Sequence, residues 1–223
     1  DLDGDGDVDA FVGNISVNRV WLNNGLGTFT DSGQELGSST DTYGVALGDL
    51  DGDGDLDAYA ANGAITIGQA NRAYFNDGAG VFTDGGQAMG DQYRRSRDVA
   101  LGDLDGDGDL DVFVVNDSQT ANRVWLNDGA GAFTDSQGLG NSSSRGVGLG
   151  DLDGDGDLDA FVVNDDHAKR VWLNDGTGSF TDSGQVLTSS NSRGVALGDL
   201  DGNGSLDAFV ADSGQANRVW FNG

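Results

Sequence analysis

A nine-residue string, Asp-Leu-Asp-Gly-Asp-Gly-Asp-Val-Asp, opens the sequence and returns as DLDGDGDLD at Asp49, Asp103 and Asp151 and as DLDGNGSLD at Asp199. The intervals are 48, 54, 48 and 48 residues. One segment recurring at such a period marks stacked copies of a small unit that cannot bury a core alone. The rest of each repeat follows one plan, shown here by the third. Its Asp-rich loop is followed by the apolar run Asp111–Val115, a variable turn, and Asn122-Arg123-Val124-Trp125-Leu126-Asn127. A Gly-rich turn, Asp128–Gly131, leads to Ala132-Phe133-Thr134-Asp135. A polar stretch then reaches Gly146-Val147-Gly148-Leu149-Gly150, which enters the next Asp loop.

These runs read as four short antiparallel strands per repeat. The Gly-Val-Ala-Leu-Gly run is strand one, the run after the Asp loop strand two, the Asn-Arg-Val-Trp run strand three and Phe-Thr-Asp strand four. A period of about 40 to 50 residues with four strands in each is the pattern of propeller blades. The fold class expected is all-β, a β-propeller of four-stranded antiparallel blades, five repeats counted, with the Asp loop between strands one and two. The tiny residues of strand one suit an innermost position where neighbouring backbones converge. A stacked solenoid is the competing repeat architecture, although its repeats are usually shorter.

The Asp loops carry the chemistry. Acids fall at alternate positions: Asp1, Asp3, Asp5, Asp7 and Asp9; Asp49, Asp51, Asp53, Asp55 and Asp57; Asp103, Asp105, Asp107, Asp109 and Asp111; Asp151, Asp153, Asp155, Asp157 and Asp159. The fifth loop keeps Asp199, Asp201 and Asp207 but has Asn203 at position five and Ser205 at position seven. Alternate carboxylates converge only if the backbone curls, which the intervening glycines permit. Hard oxygen donors at this density select Ca2+, whereas zinc, copper or iron sites call for His or Cys. An EF-hand begins similarly but needs a Glu at position twelve. That position is held by Val12, Ala60, Val114, Val162 and Val210. Side-chain ligands are therefore expected at positions one, three, five and nine, with the carbonyl of position seven as a fifth donor and up to five Ca2+ in all. Two unit charges 4 Å apart repel by about 1 kcal/mol in water. An empty cluster of four carboxylates then suffers repulsion on the order of several kcal/mol, which a divalent cation reverses. Asn203 predicts a weaker fifth site.

Composition agrees. Against 38 acidic residues stand 11 basic ones, for a formal charge of -27. Such a chain repels phosphate backbones and anionic membranes, so neither nucleic acid nor membrane insertion is expected. With one His, no Cys and most Asp assigned to metal, no nucleophile and base are apparent, and the chain is read as non-enzymatic. His167, in a polar turn, reads as exposed.

The loop and its repeat resemble the FG-GAP/VCBS-type repeats of integrin-like β-propellers, which carry DxDxDGxxD between strands one and two of a blade. The resemblance spans all five repeats. It implies an extracellular or cell-surface calcium-binding protein, engaged in adhesion or in recognition of a protein or carbohydrate; some members are domains attached to enzymes. Family propellers commonly have seven blades, whereas five repeats are counted here. The first repeat lacks its strand one and the last its strand four, so the chain looks processed, cut or incompletely represented. One propeller domain over residues 1–223 is expected, a five-bladed ring closed by residues outside this sequence, with a segment of a longer ring or an open edge completed by another chain as the alternatives. Self-association through unpaired edges, into a surface layer or filament, is the alternative.

The ligand is expected on the face opposite the Asp loops, where the sequence varies: residues 62–71 form an enlarged loop, and 90–97 carry Tyr93, Arg94, Arg95 and Arg97. The recurring pairs Arg19/Trp21, Arg72/Tyr74, Arg123/Trp125, Arg170/Trp172 and Arg218/Trp220 admit a sugar-binding reading. Packing between blades, with the Arg paired to an Asp, is the stronger one. Asn14, Asn116 and Asn141 lie in glycosylation sequons.

Overall fold

In the computed structural model, which describes residues 1–63, 69–90 and 95–223, every helix or strand element is a strand. Residues 64–68 of the enlarged loop, and Tyr93 with Arg94, lie outside the described residues. The chain falls into two compact units, Asp1–Val99 with Asn127–Phe133, and Ala100–Leu126 with Thr134–Gly223.

Strands β1 (Ala10–Val12), β2 (Ile15–Asn23), β3 (Phe29–Asp31), β4 (Leu36–Gly48), β5 (Asp57–Asn62), β6 (Arg72–Asn76) and β7 (Phe82–Asp84) form one sheet in the order β1-β2-β4-β5-β6-β7, with β3 also paired to β2. Strands β8 (Ser96–Gly102), β9 (Asp111–Asn116), β10 (Asn122–Asn127) and β11 (Phe133–Leu139) form a four-stranded sheet in sequence order. The next sheet joins β12 (Ser144–Gly150), β13 (Asp159–Asn164), β15 (Arg170–Asn174) and β16 (Phe180–Asp182). Strand β14 (His167–Ala168) pairs with β17 (Ser189–Ser190), and β18 (Ser192–Gly198), β19 (Asp207–Asp212) and β20 (Arg218–Trp220) make a three-stranded sheet.

The four-strand reading therefore holds for the inner repeats, and the first and last sheets have three strands of their own repeat. In the fourth repeat the antiparallel register runs Gly150↔Asp159, Ala160↔Trp172 and Trp172↔Asp182. Two features were not foreseen: β4 reaches back to pair with β2, setting Ile15 opposite Asp41, and β14 with β17 makes a small separate ribbon.

Burial explains the strand types. All six residues of β5, β9 and β13 are buried, as expected for short continuous apolar runs covered on both faces. Strand one is tiny-residued because its neighbour leaves no room. A Cβ on Gly44 would lie 2.9 Å from Asp98 Cα, and one on Gly146 would lie 3.2 Å from Gly194 Cα. The core clusters take residues from successive repeats: Leu2, Val20 and Leu36 with Ala58, Tyr74 and Phe82 in one unit, and Phe161, Val171 and Leu187 with Ala208 and Val210 in the other.

The strand-three aromatics serve this packing, with Tyr74 at 0%, Trp125 at 8% and Trp172 at 9% exposure. Their Arg neighbours reach the Asp of strand four in the same repeat, Arg123 to Asp135 at 3.3 Å and Arg170 to Asp182 at 3.0 Å. Gln side chains stitch consecutive repeats. Gln34 Oε1 accepts the Phe82 N–H at 2.8 Å, Gln87 Oε1 that of Phe133 at 3.0 Å, and Gln137 Oε1 that of Phe180 at 2.8 Å.

One substitution breaks the pattern. Where the other repeats place Asn18, Asn71, Asn122 and Asn217 just before the strand-three Arg, the fourth places Lys169. Its ammonium is fully buried, donating to Ser190 Oγ at 2.6 Å and Thr188 O at 3.1 Å, and standing 3.8 Å from the equally buried Asp212. Asp212 in turn occupies the position of Asn62, Asn116 and Asn164. Lys169→Met removes one of the two cations beside the buried Asp212, the other being Arg218 with its Nε at 3.6 Å, so a loss of about 1–3 kcal/mol is expected in urea unfolding. The double variant Lys169→Asn/Asp212→Asn restores the pattern of the other repeats and is expected to recover most of that loss.

Candidate metal centre

Each Asp loop enters strand two, and all but the first leave strand one, through a backbone curl that only glycine adopts easily. The fourth residues, Gly4, Gly52, Gly106, Gly154 and Gly202, have φ between +77° and +85°. The sixth residues, Gly6, Gly54, Gly108, Gly156 and Gly204, lie between +92° and +99°. The position-one carboxylate holds this curl from inside, as Asp49 accepts N–H groups from Gly52 at 2.8 Å and Gly54 at 3.0 Å. Position five caps position seven, with Asp53 Oδ1 accepting the Asp55 N–H at 2.9 Å.

The ninth residue closes the loop. Asp57 takes the Leu50 N–H on one oxygen and the Asn76 N–H on the other, both at 2.8 Å. Asp9, Asp159 and Asp207 repeat both contacts, and Asp111 accepts the Leu104 N–H at 2.8 Å. This carboxylate thus ties the start of the loop to the end of strand three. The Asn that donates there has a second role, missed in the sequence. Asn76 Nδ2 donates to the Leu2 carbonyl at 2.8 Å, Asn127 to Leu50 at 2.9 Å, Asn174 to Leu104 at 2.8 Å and Asn222 to Leu152 at 2.7 Å. Each repeat thereby grips the Asp loop of the one before it. The recurrence of Asn at the end of every strand three was the available signal.

Carboxylate oxygens gather in every loop. Those of Asp1, Asp3 and Asp5; of Asp49, Asp51 and Asp53; of Asp103, Asp105 and Asp111; of Asp151, Asp153 and Asp159; and of Asp199, Asp201 and Asp207 lie within 4.8 Å of one another in each group. Oxygens on opposite sides of one Ca2+ stand about 4.6–5.2 Å apart, so each group is compact enough for one ion. Asp51 Oδ1 is buried and accepts no hydrogen bond, leaving a lone pair free at the centre of its loop. The donor set, all oxygen and all anionic, fits a hard divalent cation. Position five joins the group in the first two loops and position nine in the other three. The position-seven side chains stand aside: Asp7, Asp55 and Asp157 lie against Gly25, Gly78 and Gly176 of the Gly-rich turns. The acids of those turns are structural, Asp128 accepting the N–H groups of Ala130 and Ala132.

The fifth loop shows what Asn203 changes. Its single side-chain oxygen is bound to the Ser205 N–H at 2.7 Å, and its Nδ2 donates to Asn222 O at 2.9 Å. An Asp making the same cap keeps a second oxygen for a cation; Asn203 does not. His167 is exposed, its Nδ1 2.8 Å from the Asp165 carbonyl.

A model of the FG-GAP-like repeat matches residues 1–60, 63–114, 103–162 and 151–210. The chain belongs to the FG-GAP-like repeat family. Solved structures similar to this FG-GAP-like protein include a lectin of Agrocybe aegerita with specific recognition of non-reducing terminal N-acetylglucosamine. The TM-score is 0.51 and the identity 26%, over 81% of this chain and 49% of the lectin. The chain spans about half the length of that relative. A candidate exo-β-1,3-galactanase from Bifidobacterium bifidum s17 aligns with a TM-score of 0.51 and 12% identity, over 97% of this chain and 76% of that one, a likeness of fold alone. No curated protein sequence matches the chain. Among the described residues no helix is long and apolar enough to cross a membrane.

In the inner FG-GAP-like loops burial opposes ionisation of particular carboxyls. Burial pushes the Asp57 carboxyl up to about 6 against its two backbone N–H donors, and burial raises Asp159 likewise. Asp51 and Asp105 are raised by burial and by the charges of Asp53 and Asp107. In the outer repeats hydrogen bonding prevails. At Asp9 burial pulls upward but the N–H groups of Asn23 and Leu2 outweigh it, and the Asn222 N–H holds Asp207 below the ordinary range. A raised carboxyl stabilises the metal-free fold fully below the ordinary value of 3.8, and that stability is lost as pH rises through about 6 at Asp57. The lowered groups act oppositely, but only below the ordinary value. In EDTA, the melting midpoint is therefore expected to be a few degrees higher at pH 5 than at pH 7.5.

Proposed function

We propose that this chain is a calcium-loaded, five-repeat β-propeller that acts outside the cell as a non-enzymatic module for recognising carbohydrate. One observation carries the calcium reading: in all five repeats three carboxylates converge within 4.8 Å on a loop whose glycines hold it curled. Membership of the FG-GAP-like family, whose repeats often bind Ca2+, supports that reading and the extracellular setting. Residues at positions one, three, five and nine would hold the ion, with the position-seven carbonyl. Calcium there supplies charge neutralisation and structural closure. The carboxylates, already oriented by backbone N–H groups, fasten strand one, strand two and the end of strand three to one point.

Carbohydrate is favoured as the ligand class by the likeness to the N-acetylglucosamine-recognising lectin. A polar cleft at the strand ends remote from the Asp loops gives it a candidate seat, lined by Asn122, Asn141, Asn164, Arg170, Trp172 and Asp182. Trp172 Nε1 is buried beside it with no hydrogen-bond partner, and the Arg170–Asp182 pair offers a donor and an acceptor to sugar hydroxyls. Absence of binding to a glycan array in millimolar Ca2+, or undiminished binding by Asp182→Ala, would overturn the saccharide reading.

Ligand at a hundred times its dissociation constant stabilises by about 2.7 kcal/mol per site. A melt in millimolar Ca2+ is therefore expected to lie well over ten degrees above one in EDTA, or to rescue an unfolded chain; equal midpoints would refute calcium binding. Calorimetric titration is expected to resolve four tighter sites and one weaker, and Asn203→Asp to bring the fifth toward the others. Binding should weaken as pH falls below about 6, where protons compete at Asp57.

A further inference from the structure

The polar cleft of the third and fourth repeats has a counterpart one repeat on, and there the seat is filled by the chain itself. Position by position, Asn122, Gly140, Ser142, Asn164 and Trp172, which line the open cleft, correspond to Lys169, Thr188, Ser190, Asp212 and Trp220. Asn122 turns back on its own repeat, its Oδ1 accepting the Asn116 N–H at 2.9 Å, as Asn71 accepts that of Asn62 at 2.8 Å. Lysine has donors only and cannot make that cap, so Lys169 reaches forward into the next repeat. Its ammonium donates to Ser190 Oγ and Thr188 O, stands 3.8 Å from Asp212 Oδ1 and lies 5.9 Å from the centre of the Trp220 ring. The whole side chain is buried.

The two clefts differ in the ways that an internal occupant requires. Asp212 supplies the charge that a buried ammonium needs. Asn164 is neutral, its Oδ1 accepting from Ser144 Oγ at 2.8 Å and its Nδ2 donating to Ala168 O at 2.6 Å. The acid beside the open cleft, Asp182, is already paired with Arg170 at 3.0 Å. A cation entering there would be buried without a counter-ion of its own, a cost that a hydroxyl does not carry. Gly140 in place of Thr188 also clears the wall. A Cβ there would lie 3.2 Å from Trp172 Cζ2, on the ring edge that carries Nε1. That Nε1 has no partner, and neither has Trp220 Nε1 in the filled cleft, which an ammonium with no lone pair cannot serve. A sugar hydroxyl both donates and accepts, so it suits the counterparts of the groups that hold Lys169 and also the indole N–H.

We propose that Lys169 is an internal occupant of a saccharide seat, its ammonium taking the place that a ligand hydroxyl takes between the third and fourth repeats. The residue before the strand-three Arg, with its partner at the end of strand two of the next repeat, then decides whether a cleft is open to ligand. Asn122 with Asn164 leaves one cleft open, and Lys169 with Asp212 shuts the next. The equivalence of the two seats rests on the saccharide reading of the open cleft; the occupancy of the filled one does not.

The test is to transplant the pair. Lys169 is the only lysine of the chain, so an amine-acetylating reagent applied to folded, Ca2+-loaded protein reads the burial of that side chain in the intact mass. Native chain is expected to gain an acetyl group at its terminal amine alone and a second only when unfolded. Asn122→Lys/Asn164→Asp is expected to behave in the same way, both lysines being protected, and to melt within about 4 °C of the native chain. Asn122→Lys alone, with no acid to face its amine, is expected to be acetylated in the folded state. On a glycan array in millimolar Ca2+, the double variant is expected to lose the binding shown by the native chain. Acetylation of folded native chain at Lys169, or of the introduced lysine in the double variant, would overturn this inference alone, and the first of these needs no variant. Undiminished glycan binding by a double variant with protected lysines would overturn the equivalence of the two seats. Absence of glycan binding by the native chain would sink the saccharide reading and that equivalence together.

Discussion

A buried carboxylate with both oxygens occupied by backbone N–H groups is the point on which each repeat turns. Asp57 holds Leu50 at the head of its loop and Asn76 at the end of strand three, so three strands converge on one side chain. Such a group is expensive to bury as an anion, and its carboxyl accordingly rises to about 6. Everything around it moderates that cost. The curl set by Gly52 and Gly54 brings the carboxylates of Asp49, Asp51 and Asp53 within 4.8 Å of one another, a spacing that a divalent cation could bridge. Geometry and charge are therefore one problem in this fold, and the loop that shapes the sheet is also the loop that gathers the carboxylates.

Much of this was legible in the sequence because it is local. Acids at alternate positions, glycines between them and short apolar runs after them fix a curl and a strand without reference to distant residues. The crowding of strand one was legible as well, since Gly44 and Gly146 have no other evident use. The side chains that join repeats were not. Asn76 reaches Leu2, and Gln87 reaches Phe133, across 74 and 46 residues. Amide residues near Gly-rich turns read as turn formers, and nothing in their own segment reveals a partner one repeat away. Lys169 was hidden for a different reason: a lone cation in a polar turn reads as solvated, and its burial depends on Asp212 having replaced an Asn in the next repeat.

Position five shows how fine the distinction between ligand and scaffold is. Asp and Asn cap the position-seven N–H equally well, so the curl survives the change to Asn203 with its glycines at the same dihedral angles. What is lost is the second oxygen. The fold is insensitive to a substitution that alters the inner face of the loop, because the two oxygens of the carboxylate serve different masters.

The links between repeats have a consequence for descent. Each repeat presents a Leu carbonyl and a Gln amide forward, and an Asn amide and a Phe backbone to the one behind. Tandem duplication of one whole period of 48 residues would therefore insert one complete set of partners and orphan none. Insertion of any fraction of a period would break both joints at once. A gene with this grammar lengthens or shortens in whole repeats, while length changes within a repeat are confined to segments that carry neither joint, such as residues 62–71.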